Sequence, residues 1–313
     1  MVTGGLSVTN VFPLHSDRDP CRSGVRIIGA PCGLGALDPG CALGPAVVRA
    51  AGLATRLREQ GLAAAWGPAE RSLVPCDASD RWDAIARFNR VLAQAVTSVL
   101  CAGERFIVVG GDHSCAVGTW SAVAECLRPQ GSLGLVWIDA HMDSHTPSTS
   151  PSGAAHGMPL ACLLGYGEPR LTGLLAPGAK LHPAQVCLVG VRSFEPEEAR
   201  LLETLGVRVI VMDEIRRYGV RWALAEAMAI ATRETAALGI SIDLDALDPV
   251  DAPGVGTPVP DGLDAHDLLA ALAMRDADLC GLEIAEYNPV RDPDRRTARL
   301  VVELAAAAFG KSS

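Results

Sequence analysis

The chain has 313 residues, 49% of them apolar and 20% charged, enough to bury one large core or two smaller ones. Its formal charge of −9, with no block of Lys or Arg, lacks the basic face that a nucleic-acid binder needs, and no run of about 18 apolar residues offers a membrane span. Aromatic residues make up only 4%, so the core must rest on Val, Leu, Ile and Ala.

Residues 1–24 read as an irregular, polar, Pro-containing lead-in. They lack the basic start and apolar stretch of a secretory signal, so a cytoplasmic protein is expected. The first apolar run, 25–30, is followed by Gly33-Leu34-Gly35, superficially a dinucleotide-binding loop. Asp38 then stands where a third glycine is required and Pro39 and Pro45 interrupt the segment, which argues against a nucleotide site. Amphipathic helices are expected at 46–60 and 81–102, and strands at 105–111 and 133–140. Further strands are expected at 185–191, 207–212, 239–244 and 280–285, and helices at 195–205, 221–237, 264–274 and 297–309. The strand runs are nearly continuous in Val, Ile and Leu rather than alternating, as befits strands buried on both faces. Strand and helix alternate throughout, which predicts an α/β fold with three layers: a mainly parallel sheet with helices on both faces. No repeat or low-complexity linker divides the chain, so residues 25–313 are expected to form one catalytic domain. The ten cysteines are scattered without a Cys-x-x-Cys pair, and several sit in apolar runs such as Val186-Cys187-Leu188. They read as small buried thiols in a reducing compartment.

Three of the expected strands end in metal-ligand residue types: Gly110-Gly111-Asp112-His113-Ser114, Asp139-Ala140-His141-Met142-Asp143, and Asp243-Leu244-Asp245-Ala246-Leu247-Asp248. In such a sheet, chemistry gathers at the carboxyl ends of strands. Charges at the end of an apolar strand are costly unless they are paired or bind metal. In the second motif the ligand types stand at i, i+2 and i+4, about 13 Å from first to last in an extended chain. Either the backbone coils there or the residues serve two ions about 3.5–4 Å apart, bridged by carboxylates. Asp139, Asp143, Asp243 and Asp245 supply four negative charges, and His113 and His141 supply neutral nitrogens. That set neutralises two divalent cations and favours manganese over structural zinc. Asp112 and Asp248 are expected to support neighbouring ligands or to shape turns rather than to bind metal.

On these motifs the chain resembles the ureohydrolases, the family of arginase, agmatinase and their relatives. The resemblance runs from Gly29-Ala30-Pro31 and Gly44-Pro45 to Glu286-Tyr287-Asn288-Pro289. It implies one Mn(2+) held by His113, Asp139, Asp143 and Asp243, and a second held by Asp139, His141, Asp243 and Asp245, with Asp139 and Asp243 bridging. The loop 150–159 resembles arginases more than agmatinases. It implies a proton-shuttling role for His156 and a contact from Ser152 to a substrate α-carboxylate. Glu195 then falls near the substrate α-amino group, Glu286 pairs with the guanidinium, and Asp143 moves a proton to the departing nitrogen. His145 and Ala154 depart from the pattern, standing where arginases usually carry asparagines. His145 can still donate to a carboxylate, but Ala154 cannot. The implied activity is hydrolysis of L-arginine to L-ornithine and urea. Agmatine or a guanidino acid such as 4-guanidinobutanoate is the alternative substrate, and an inactive metal-binding regulatory homologue is a further reading. The family also implies a homo-oligomer, trimer or hexamer.

Overall fold

The computed structural model describes residues 24–67 and 80–310. Residues 1–23 of the expected lead-in, with Cys21, and also Cys76 lie outside the described residues. Eight strands form a single sheet: β1 (Gly24–Ala30), β2 (Ala63–Trp66), β3 (Arg105–Gly110), β4 (Leu133–Ile138), β5 (Val186–Val191), β6 (Arg208–Val211), β7 (Ala237–Asp243) and β8 (Leu279–Ala285). All neighbours pair in parallel, in the order β2-β1-β3-β8-β7-β4-β5-β6. β4, β5 and β8 are buried at every position, which is why their sequences carry no polar alternation.

Helices cover both faces. They are α1 (Gly44–Ala50), α2 (Leu53–Glu59), α3 (Arg81–Cys101), α4 (Ala116–Leu127), α5 (Pro159–Leu163), α6 (Pro169–Thr172), α7 (Pro196–Leu205), α8 (Met212–Tyr218), α9 (Val220–Ala231), α10 (Ala265–Ala273) and α11 (Arg296–Phe309). Alternate side chains of each strand feed the two layers: Ile107 and Val109 pack with Leu57, Leu224 and Val301, while Phe106 and Val108 pack with Leu92, Trp120 and Leu202. This is the three-layer parallel architecture expected.

Several boundaries differ from expectation for local reasons. The helix expected over 46–60 is two, because Gly52 adopts a left-handed φ of 91° between α1 and α2. The short edge strand β2 and the buried helix α4 were not anticipated; α4 mixes Ser, Thr and Gly into a nearly fully buried segment. α9 stops at Ala231 rather than 237, and the Thr232 and Thr235 hydroxyls there donate back to Met228 O and Ala231 O. The eight described cysteines are all free; Cys101, at the end of α3, is exposed and Cys126 half-buried, and the rest are buried as expected. No helix among the described residues is long and apolar enough to cross a membrane.

One close approach ties the loops after β1 and β3 together. Gly111 N donates to Ala30 O at 2.8 Å and Asp112 N to Cys32 O at 2.8 Å. A Cβ on Gly111 would stand 1.8 Å from the Cys32 carbonyl oxygen, so only glycine fits.

Candidate metal centre

The four central strands β3, β8, β7 and β4 end at one rim. Their register sets Val109 level with Ile284, Ile284 with Ile242, and Ile242 with Ile138. The residues just beyond carry the chemistry: Asp243 closes β7, Asp139 follows β4, Glu286 follows β8, and His113 stands three positions past β3. Asp112 does not join them. Its oxygens accept from Gly35 N and Ser114 N, which turns the chain and sends His113 inward. Asp248 likewise accepts from Val250 N and Gly262 N in a turn.

His113 is fully buried and stacks on Trp137, ring centroids 4.3 Å apart. Its Nδ1 lies 3.1 Å from Asp143 Oδ2, 3.1 Å from Asp243 Oδ2 and 3.4 Å from Asp139 Oδ2. Despite these distances, neither His113 Nδ1 nor Asp143 Oδ2 makes a hydrogen bond. A second group gathers beside the first: His141 Nδ1 stands 3.2 Å from Asp245 Oδ2 and 3.6 Å from Asp139 Oδ1. Within each group the ligand atoms lie within 4.8 Å of one another. Asp139 belongs to both, with one oxygen turned to each. Asp243 belongs to the first alone, and its Oδ1 accepts from Asp245 N at 2.9 Å.

Coiling, one of the two ways to reconcile the i, i+2, i+4 spacing, is visible at Asp143. Its φ is +50°, and its carbonyl accepts from Leu160 N and Ala161 N at the start of α5. A non-glycine residue held in that region costs energy that the surroundings must supply. Donors that the sequence reading missed aim the carboxylates. Trp137 Nε1 donates to Asp139 Oδ2 at 2.9 Å, and Thr257 Oγ1 donates to Asp245 Oδ2 at 2.8 Å. Arg192 was missed as well. Its guanidinium donates to the carbonyls of Asp245, Ala246 and Val259 at 2.7, 3.0 and 2.7 Å and so pins the ligand loop.

The charge balance within this cluster is unfavourable for the protein alone. Burial, together with the neighbouring Asp139, pushes the Asp143 carboxyl up to about 7, and burial with Asp245 pushes Asp243 well above the carboxylate range. Burial also raises Asp139, but His113 and His141 outweigh it and hold that carboxyl below the usual range. Burial works against a charged His113, yet the surrounding carboxylates prevail and raise its pKa. Four buried carboxylates and two imidazoles, two of whose buried atoms have no hydrogen-bond partner, form a donor set that fits hard or borderline divalent cations.

Glu286 sits against this cluster with φ +69°, its N–H donating to Gly111 O at 2.7 Å. Its Oε1 accepts from His113 N at 2.7 Å and lies 3.0 Å from His156 Nδ1. Burial lowers the His156 pKa, but the Glu286 carboxylate overrides it and lifts the imidazole to about 9. His145 points elsewhere. Its Nε2 lies 3.0 Å from Glu195 Oε2 and 3.5 Å from Glu198 Oε2, and its Nδ1 lies 3.1 Å from Thr149 Oγ1. Glu198 is a further residue the sequence reading missed. It is buried, accepts from Ser144 N and Glu195 N, and burial pushes it up to about 7. Ser152 is exposed on the loop, where its Oγ accepts from Ala154 N; it does not join the ligand groups.

Comparison with known proteins finds close relatives over most of the chain. The model of the arginase family matches residues 23–310. The arginase of Brevibacillus brevis is 38% identical over 293 residues, covering 91% of this chain and 97% of the relative. The arginase of Bacillus caldovelox is 39% identical over 297 residues, covering 92% and 98%. The crystal structure of arginase from Bacillus subtilis superposes with a TM-score of 0.84 at 35% identity, covering 92% of this chain and 99% of that one.

Proposed function

The chain belongs to the arginase family, and from that premise we propose that it is a binuclear manganese hydrolase that converts L-arginine to L-ornithine and urea. Asp139 carries the two-ion reading: its Oδ2 faces His113, Asp143 and Asp243, while its Oδ1 faces His141 and Asp245. One cation would be held by His113, Asp139, Asp143 and Asp243, the other by Asp139, His141 and Asp245. Asp243 contributes to the second only by shifting its outer oxygen from Asp245 N. Bound divalent ions would supply Lewis acidity that makes hydroxide available near neutral pH.

The remaining work falls to side chains. Glu286 binds the guanidinium through a charge-assisted pair, and it is pre-oriented because His113 N and His156 already hold its Oε1. Asp143 takes the proton of the attacking hydroxide and delivers it to the departing nitrogen. His156, partly open to solvent and charged beside Glu286, exchanges protons between that nitrogen and water. Ser152 and Glu195 would meet the α-carboxylate and α-amino group at the outer end. The reading carries with it a small guanidino substrate, a cytoplasmic setting and a homo-oligomer, trimer or hexamer.

A second substrate has a specific observation in its favour. His145 Nε2 already occupies Glu195 Oε2, so the carboxylate meant for an α-amino group is partly satisfied within the protein. That favours a guanidino acid without an amino group, such as 4-guanidinobutanoate. Urea release by the manganese-loaded protein, measured across arginine, agmatine and 4-guanidinobutanoate, separates these readings. Release from arginine above the others supports the first, and release from none of them refutes both.

A further inference from the structure

Glu283 stands in the middle of β8, the single charged residue of that strand, with no exposed surface. A buried carboxylate persists only where donors meet it. Here Oε1 accepts from Thr119 Oγ1 at 2.7 Å and Cys115 Sγ at 3.4 Å, and Oε2 accepts from Trp120 Nε1 at 3.0 Å and Ser241 Oγ at 2.9 Å. Ser241 faces Glu283 directly across the β7–β8 register, and its Oγ also lies 2.9 Å from His113 Nε2.

A serine hydroxyl has one proton to give. Given to Glu283, it leaves Ser241 Oγ able only to accept, so the hydrogen bond to His113 must be donated by Nε2–H. The reverse direction would set two oxygen lone pairs against each other at 2.9 Å inside the core. We infer that Glu283, acting through Ser241, is a positioning residue that fixes the tautomer of His113. In the neutral ring the proton stays on Nε2, and Nδ1 is left as the free lone pair that faces Asp139, Asp143 and Asp243. Partners on the far nitrogen of a ligating histidine commonly tune its metal affinity by 10–100-fold. The inference rests on the reading of His113 as a metal ligand and deepens it.

The test is manganese affinity, measured by equilibrium dialysis on folded variants rather than by turnover. Ser241→Ala is expected to weaken binding about tenfold or more, and Glu283→Gln by a smaller factor. The double variant is expected to bind no more weakly than Ser241→Ala alone, because loss of the hydroxyl already cuts the connection. Ser241→Thr, which keeps the hydroxyl, should stay near the unmodified protein. Should the Glu283 variant not fold, Ser241→Ala against Ser241→Thr decides. Unchanged affinity in Ser241→Ala, or a double variant whose loss is the product of the single losses, overturns the positioning role and leaves the metal centre standing. An unmodified protein that binds no manganese overturns both.

Discussion

At the rim of the four central strands every candidate ligand except His141 is buried, and the Asp139, Asp243 and Asp245 carboxylates are each aimed by a donor from the sheet or its covering loops. On the loop from residue 146 to 153 the polar groups bond mostly to one another. Thr149 Oγ1 takes Thr146 N, Ser150 Oγ takes Gly153 N, and Ser152 Oγ takes Ala154 N. The first region is held by strand register and cannot yield without disturbing the core. The second is held by local turns and can be re-shaped at small cost. In the proposed function, reaction chemistry and substrate choice would thus rest on different parts of the molecule.

The sharpest way to break that division is Asp139→Asn, which strikes the residue shared by both donor groups. Metal analysis should find tight manganese binding lost and urea release down by about a thousandfold or more, since several kcal/mol of charge stabilisation go with the ions. Full activity in that variant would remove the shared role. His156→Ala leaves the ligands intact, so manganese content should hold while turnover near neutral pH falls by roughly a hundredfold. Added imidazole should restore part of it, and an unchanged rate would take His156 out of the reaction.

The pairing of His156 with Glu286 also predicts a pH dependence of stability in metal-stripped protein. The folded pKa is raised to about 9, above the ordinary histidine value. The contribution is therefore fully present below about pH 6.5 and is lost as pH rises through about 9. Denaturant unfolding of unmodified and His156→Gln protein should differ by a few kcal/mol at pH 6 and converge by pH 10. The smallest effects belong to the outer loop. Ser152→Ala and His145→Asn should each shift kcat/KM for arginine within about tenfold, one lost or altered hydrogen bond being worth about 1 kcal/mol. Manganese content should not change in either. A thousandfold loss at Ser152 would erase the distinction between the two regions.

The same division governs what the sequence made legible. Asp139, His141, Asp143, Asp243 and Asp245 could be read because ligand residue types follow apolar runs, and burying such charges has few physical solutions. The parallel sheet was legible from those runs, whereas β2, four residues at an edge, gives too short a signal. Trp137, Thr257 and Arg192 were hidden, since a single donor in a strand or loop says nothing of which distant carboxylate it meets. Glu198 looked like an ordinary acid in a first helical turn, although its side chain is buried. Glu283 did leave a trace: a carboxylate inside Leu279–Ala285, where both faces must be covered, asks for partners that the one-dimensional text cannot name.

At residue 111 the protein depends on an atom that is not there. The tips of β1 and β3 touch through bare backbone, two residues ahead of His113, and any side chain would wedge them apart by more than that contact can absorb. The spacing of the reaction centre is thus gauged from below by a gap one methyl group too small. A lineage that keeps this chemistry on this sheet has no freedom to vary there unless the loop carrying Cys32 is rebuilt first.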